Sequence, residues 1–434
     1  MVSTTTSPTS PLRIGDFRAY LVARFAMTLA QYAMMLVIGW QTYSYARDGG
    51  MSIAQAAGQL GLIGLLQFIP LFVLTPFSGL VADRFDRRRV AQVTLLLQTG
   101  SGAVLAWVTW SGDITLGWLF AVAVVLGVVR AFNGPAMSAL APNLVPAALL
   151  PTAIALSSIA WQVGMIAGPG LGGYLYAIQP ALPYAVATLL LAMALVTMGF
   201  ISPPPRPERR QQVSPLVQVL EGLRYVARNR MVLGAITLDL LAVFLAGANA
   251  LLPVFARDIL EVGERGLAQL AMAPAIGAAI TAAWFSYRPL KTNVGPRMLW
   301  AVAVFGAATV AFALSRSMAL SLALLVIIGA ADMFSVYIRS SLIHLHTPDD
   351  KRGRVSAVSL LTVSASNELG DAFSGALAFL VGPVAALIAG GSGAVLTVAL
   401  WSRLFPVLRT TRTFAPPPAL QDELPEQKLQ ERIS

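Results

Sequence analysis

GLVADRFDRRRV, residues 79 to 90, places four arginines and two aspartates within seven positions, between two stretches that are almost wholly apolar. The surrounding chain has 434 residues, of which 56% are hydrophobic and 12% charged, with a mean hydropathy of +0.71. Too much of it is apolar for a single water-soluble core. Windows of about 20 apolar residues, the length needed to cross a bilayer, recur over 17–46, 55–82, 90–111, 115–138, 149–177, 181–201, 231–256, 266–287, 297–314, 318–345, 353–380 and 383–405. The expected fold class is therefore an all-α membrane protein with twelve transmembrane helices. The opening stretch is the loop between its second and third spans.

Arginine and lysine orient the spans, because short basic loops stay on the cytoplasmic side. Arg84, Arg87, Arg88 and Arg89, the run from Arg206 to Arg230, Arg288, Lys291 and Arg297, and Lys351, Arg352 and Arg354 all fall on one side, while the other has little beyond Arg47, Arg257, Arg265 and Arg316. This pattern predicts a multi-pass protein of the bacterial inner membrane with both termini cytoplasmic. The net charge of +10 is then a topology signal facing anionic lipid and not a nucleic-acid footprint. The first span is too long for a signal-peptide core and reads as uncleaved. With no cysteine, disulfides and thiolate metal or redox sites are excluded.

A proline run and a charged amphipathic stretch over 202–230 divide the chain into six spans and six. The expected organisation is a cytoplasmic leader over 1–16, a six-helix bundle over 17–201, a cytoplasmic linker with an amphipathic helix over 202–230, a second bundle over 231–405 and a cytoplasmic tail over 406–434, disordered or lying on the surface. Sliding residues 143–173 onto 345–375 aligns Pro146 with Pro348, Ser157 with Ser359, Gly168 with Gly370 and Gly173 with Gly375, a sign of duplication. Parallel six-helix halves suit a transporter that rocks around a midplane site.

With that topology in place, GLVADRFDRRR resembles the signature between the second and third helices of the major facilitator superfamily. Gly79 corresponds to its close-packing glycine, Asp83 to the acid that faces a helix N-terminus, and Arg84, Arg87 and Arg88 to the basic residues of the gating loop; Asp86 stands where the family pattern has Gly. A plain basic membrane anchor is the alternative reading of the cluster. LGVVRAFNG, residues 126 to 134, resembles the fourth-helix pattern of the family's proton-coupled antiporters, with Asn133 in place of Gln. GMIAGPGLGG, residues 164 to 173, resembles the fifth-helix antiporter pattern through Gly164, Gly168, Pro169, Gly172 and Gly173. Its small residues permit close helix approach and its proline lacks a backbone donor, so a general packing face is the alternative there. RAFNGPA, ASNELG and LLPVFARDIL are similar to the branch of enterobactin exporters and transmembrane secretion effectors. This resemblance implies the two-bundle fold, with the first, fourth, seventh and tenth helices lining a central cavity.

Ionisable side chains inside hydrocarbon are expensive and mark functional positions. Seven qualify: Arg24, Arg130, Asp239, Asp332, Arg339, Glu368 and Asp371. The first half contributes arginines and the second chiefly acids. Arg24 lies close enough to the start of its span to snorkel, whereas Arg130 sits near mid-span. Asp332 and Arg339, seven apart on one face, invite reading as a structural ion pair. Glu368 and Asp371 share a face at i and i+3, and Asp239 or Glu368 is expected to carry a proton ahead of Asp332. Gln31 and Asn133 add polar groups near Arg24 and Arg130; Gln162 and Asn249 add others. Met34, Met35, Trp161 and Phe244 offer an adaptable lining, with lipid-facing or packing roles as the default. His344 and His346 are two apart and diverge on a helix, a weak metal cue, so neither metal nor cofactor is expected.

No GxxxxGK[ST], HExxH or GxSxG motif is present, so neither ATP-driven transport by this chain nor common hydrolytic chemistry is expected. The sequence reads as a non-enzymatic secondary transporter, a monomer in the lipid bilayer, that exports a small organic amphiphile, siderophore-like or drug-like, against protons. A lipid or lysolipid flippase on the same fold and a non-transporting scaffold or sensor are the alternatives.

Overall fold

The computed structural model describes residues 10–202 and 215–415; the surroundings of Gly79 and the side chains of Asp83 and Arg84 lie outside that description. Every long element is a helix. The first six spans are α1 (Gly15–Asp48), α2 (Ile53–Arg84), α3 (Arg87–Ser111), α4 (Leu116–Leu140), α5 (Leu150–Tyr176) and α6 (Leu182–Gly199). After a linker helix, α7 (Pro215–Arg228), come α8 (Arg230–Leu245), a single turn α9 (Leu252–Val254), α10 (Gly263–Tyr287), α11 (Val294–Leu314), α12 (Met318–Leu345), α13 (Asp349–Val381), α14 (Pro383–Leu404) and a short α15 (Pro406–Thr410). Eleven spans among the described residues have both the length and the hydropathy to cross a membrane. The twelfth, α13, is 33 residues long, but its basic start together with Glu368 and Asp371 lowers its hydropathy.

Local chemistry sets several boundaries. Asp86 caps α3, its carboxylate accepting from the Arg88 backbone N–H at 2.9 Å, so the Asp that replaces Gly in the loop pattern starts a helix. Asn229 caps α8 in the same way, accepting from Met231 and Val232. Gly112 ends α3 at φ 82°, a left-handed conformation that suits glycine.

Two compact units emerge, comprising residues 10–52, 62–202 and 255–272 in the first and 53–61, 215–254 and 273–415 in the second. In the first unit α5 lies on α1 through glycines: a Cβ at Gly168 would meet the Leu29 carbonyl at 2.9 Å, and one at Gly172 the Ala33 carbonyl at 2.7 Å. Gly164, Gly168, Pro169, Gly172 and Gly173 are all buried, and Pro169 sits inside α5 without ending it. In the second unit Gly370 makes the matching approach to α8, where a Cβ would lie 3.0 Å from the Val243 carbonyl. The second glycine pair of the aligned segments also matches. Gly173 abuts Ala268 of α10 within the first unit, and Gly375 abuts Gly61 of α2 within the second. Equivalent glycines thus make equivalent contacts, the structural counterpart of the sequence duplication.

One expectation is corrected. The seventh span, expected over 231–256, runs over Arg230–Ile259 but not as one helix: α8 stops at Leu245, residues 246–248 are not helical, and the chain resumes through a 3-10 turn at Asn249–Leu251, α9 and a π turn at Phe255–Ile259. Gly247 follows the last α8 turn and Pro253 cannot donate to a continuous ladder. At the start of the tail the short α15 lies against the second unit: Leu408 is fully buried, and Gly295 donates to the Thr411 carbonyl at 3.1 Å.

Candidate functional site

In the second unit Asp239 of α8 and Arg339 of α12 form an ion pair with both side chains 7% exposed. Asp239 lines a cavity of about 10 Å³, the room of about one water molecule, together with Ala242, Val302, Phe305, Asp332 and Ser335. The anticipated pairing of Asp332 with Arg339 is not formed. Seven residues put them about 10 Å apart along α12, whereas α8 brings Asp239 alongside Arg339. Among the described residues no cation pairs with Asp332. Two carboxylates therefore border one small space, one of them paired with a guanidinium, and a single bound proton makes the sum of the three charges neutral.

Glu368 is buried at 3% exposure and Asp371, one turn on, is half-buried; both have polar or electrostatic partners. Beside them, Phe373 packs on Phe244 at 4.8 Å between ring centres. Asn249 is exposed, in the 3-10 turn beyond the helix break, within the span Arg230–Ile259.

In the first unit a polar layer crosses α1, α2, α3 and α4. Asn133 of α4 is buried, its Nδ2 2.8 Å from Met27 Sδ of α1 and its Oδ1 accepting from Thr94 of α3 at 3.5 Å. One turn along α4, Arg130 Nη1 donates to the buried Gln67 of α2 at 3.4 Å. One turn before Met27, Arg24 is half-buried, and its Nε is enclosed without a hydrogen-bond partner among the described residues. Gln31 and Met35 follow Arg24 at about 20° around the helix and are half-buried and exposed respectively, whereas Met34 is completely buried. Met34 is accordingly a packing residue and not part of a lining. Trp161 and Gln162 of α5 are half-buried.

At the ends of the helices away from the arginine-rich loops, a cluster that sequence reasoning missed joins α1 to the segment 255–272. Asp258 accepts from Tyr43 Oη at 2.5 Å and from Arg47 Nη2 at 3.0 Å, and Arg257 pairs with Asp48 at 2.5 Å. LLPVFARDIL carried the signal, an adjacent Arg and Asp just past a span. At the opposite ends, Arg88 donates to the Gly199 carbonyl at 2.7 Å, and Glu221 of α7 pairs with Arg354 at 3.0 Å. His346 is buried with its Nδ1 3.0 Å from the Leu342 carbonyl, and burial pushes its pKa below the ordinary value of 6.5 despite that hydrogen bond. His344 is exposed.

A profile described as Major Facilitator Superfamily matches residues 19–370. Among similar proteins, an enterobactin exporter of Escherichia coli O1:K1 is 25% identical over 92% of this chain and 94% of its own length. One of Citrobacter koseri is 26% identical over 94% and 95%. A macrolide efflux protein of Streptococcus pyogenes is 25% identical over 46% of this chain and 50% of its own. Of solved structures, a D-xylose-proton symporter aligns at a TM-score of 0.68 and 14% identity, covering 90% of this chain and 98% of that one. A bacterial homologue of the lysosomal transporter Spinster, inward-facing and unoccupied, aligns at 0.68 and 17%, covering 91% and 99%. From these matches, and from the helices and duplicated contacts above, the chain is a multi-pass membrane transporter that belongs to the Major Facilitator Superfamily.

Proposed function

We propose that this transporter is a proton-driven exporter of a small organic amphiphile, siderophore-like or drug-like, in a bacterial inner membrane with both termini cytoplasmic. Export is supported by the named activities of the relatives, which are enterobactin exporters and a macrolide efflux protein. The observation that carries proton coupling is that Asp239, paired with Arg339, and Asp332 line one small cavity. With both acids ionised the group holds a net negative charge in a low-dielectric setting; a proton on Asp332 removes it. The two charge states favour different packings of α8, α11 and α12, and this difference is what a proton gradient acts upon. Asp332 therefore replaces Asp239 as the leading carrier, because Asp239 is held by Arg339.

The cluster of Tyr43, Arg47, Asp48, Arg257 and Asp258 supplies the other part of the cycle. It joins the end of α1 to residues from the other half of the sequence, and release on that side requires it to part. The test is Asp332→Asn in inside-out vesicles. Flux should lose its response to an imposed proton gradient while downhill exchange persists; gradient-driven flux equal to the wild type overturns the assignment of the carrier.

A further inference from the structure

We infer that residues 405–414, the start of the tail, form a releasable strap that holds α8, α11 and α12 together beside the Asp332 cavity, and that its detachment opens the cavity toward the arginine-rich loops. The inference deepens the proton-coupling reading and rests on it for the strap's place in the transport cycle. The cavity is bordered by Asp239 and Ala242 of α8, Val302 and Phe305 of α11, and Asp332 and Ser335 of α12. The strap touches the same three helices. A Cβ at Gly234 of α8 would meet Phe405 at 2.9 Å and Leu408 at 3.2 Å, Gly295 of α11 donates to the Thr411 carbonyl at 3.1 Å, and Phe414 packs on Tyr337 of α12 with ring centres 6.2 Å apart. Leu408 joins the apolar cluster that contains Ala242 and Val302. On every helix the contact lies between the cavity residues and the end nearer the arginine-rich loops: Gly234 precedes Asp239, Gly295 precedes Val302 and Tyr337 follows Ser335. At 1.5 Å of rise per residue, the strap crosses these helices about 3–11 Å from the cavity.

The attachment is of a reversible kind. Asparagine is among the best helix N-caps, yet the Asn293 side chain does not cap α11; the residue stands at φ 54°, which asparagine tolerates, and its Oδ1 accepts from Arg412 Nη1 at 2.7 Å. The first N–H groups of α11, from Val294 and Gly295, donate instead to the Arg412 and Thr411 carbonyls, so the tail supplies the cap. When the tail leaves, Asn293 can turn to satisfy those donors itself, and α11 keeps a capped start in both arrangements. Leu408 is the one fully buried residue of the strap, while Arg409, Arg412 and Thr413 are exposed, so a single apolar anchor and a few hydrogen bonds hold it. The two charge states of the cavity favour different packings of α8, α11 and α12, and a strap fastened to all three responds to that difference.

The test is thiol labelling of the purified full chain in detergent, with neither gradient nor substrate, so that its outcome stands apart from proton coupling. The chain has no cysteine, so Ser335→Cys reports on the cavity and Thr309→Cys, one turn beyond Phe305 on α11, reports on general loosening; the two positions are 4% and 0% exposed. Reaction with 2-hydroxyethyl methanethiosulfonate, a small neutral reagent, is followed by mass spectrometry. Leu408→Gln, which takes the anchor out of the apolar cluster, should speed labelling at 335 about tenfold or more and leave 309 unchanged. Equal or greater acceleration at 309 would make the tail a general stabiliser and overturn the inference, as would an unchanged rate at 335. If Leu408→Gln does not fold, Arg412→Ala decides, since Arg412 is exposed and its truncation removes the bond to Asn293: labelling about threefold faster at 335 alone supports the strap, and any other result overturns it.

Discussion

Asp239→Asn should destabilise the protein far more than Asp332→Asn, although both replace a carboxylate beside the same cavity. Asp239 and Arg339 are 7% exposed at their side chains, so removing the acid leaves a guanidinium enclosed without its counter-charge. Breaking such a pair costs about 3–5 kcal/mol, more than the intact pair is worth against an apolar replacement. With about 2–4 °C per kcal/mol for a unit of this size, the melting temperature should fall by about 6–20 °C. Asp332 has no cationic partner among the described residues, and its amide should melt within a few degrees of the wild type. The double variant Asp239→Asn/Arg339→Gln should recover much of the loss, because neither residual group is charged. Unfolding followed by tryptophan fluorescence in detergent at neutral pH reads all four proteins. Equal losses for Asp239→Asn and Asp332→Asn, or a double variant worse than Asp239→Asn, would refute the reasoning.

Asp258→Asn weakens a partly exposed cluster, so the effect is smaller: about 0.5–2 kcal/mol, a shift of about 2- to 30-fold in the closed population. An Ala256→Cys reporter, buried in the intact protein, should label faster by that factor, and an unchanged rate contradicts the proposed role of the cluster around Asp258 in the cycle. The lowered pKa of His346 means the unfolded chain binds its proton more readily. The stability gained from the neutral ring is present above the ordinary value of 6.5 and lost as pH falls below it. Melting temperature should drop between about pH 6.5 and 5 in the wild type, with a flatter profile in His346→Gln; parallel profiles would remove His346 from the account. Single cysteines at Ser111 and Thr410, both exposed, should react with an impermeant maleimide from opposite faces of the membrane, Ser111 from the periplasmic face. Labelling from one face, or from the reverse faces, contradicts the proposed orientation.

Apolar length was legible wherever it was uniform, and span boundaries mostly fell within a few residues of the helices. The break after Leu245 was not, because AVFLAGANALLPVF remains apolar throughout and hydropathy does not register the backbone consequences of Gly247 and Pro253. Charged positions inside spans were equally plain, but their partners were not. Spacing along one helix suggested Asp332 with Arg339, whereas the pair that forms joins α8 to α12, and helix packing decides that. The glycines of α5 could be read as a close-contact face; that Gly173 meets Ala268 while Gly375 meets Gly61 required the fold. The cluster around Asp258 escaped notice because Arg47 and Arg257 looked like isolated loop charges when counted for topology.

Proton-driven export is the central claim, and inside-out vesicles carrying the protein test it most directly. Uptake of a panel of aromatic carboxylates, catechol chelators and macrolides would be measured with an acid lumen, then after nigericin collapses the pH gradient. At least one compound should enter only while the gradient stands and should raise the lumenal pH as it does so, with both effects lost in Asp332→Asn. Uptake by the wild type that is indifferent to nigericin, with no change in lumenal pH, would contradict the account.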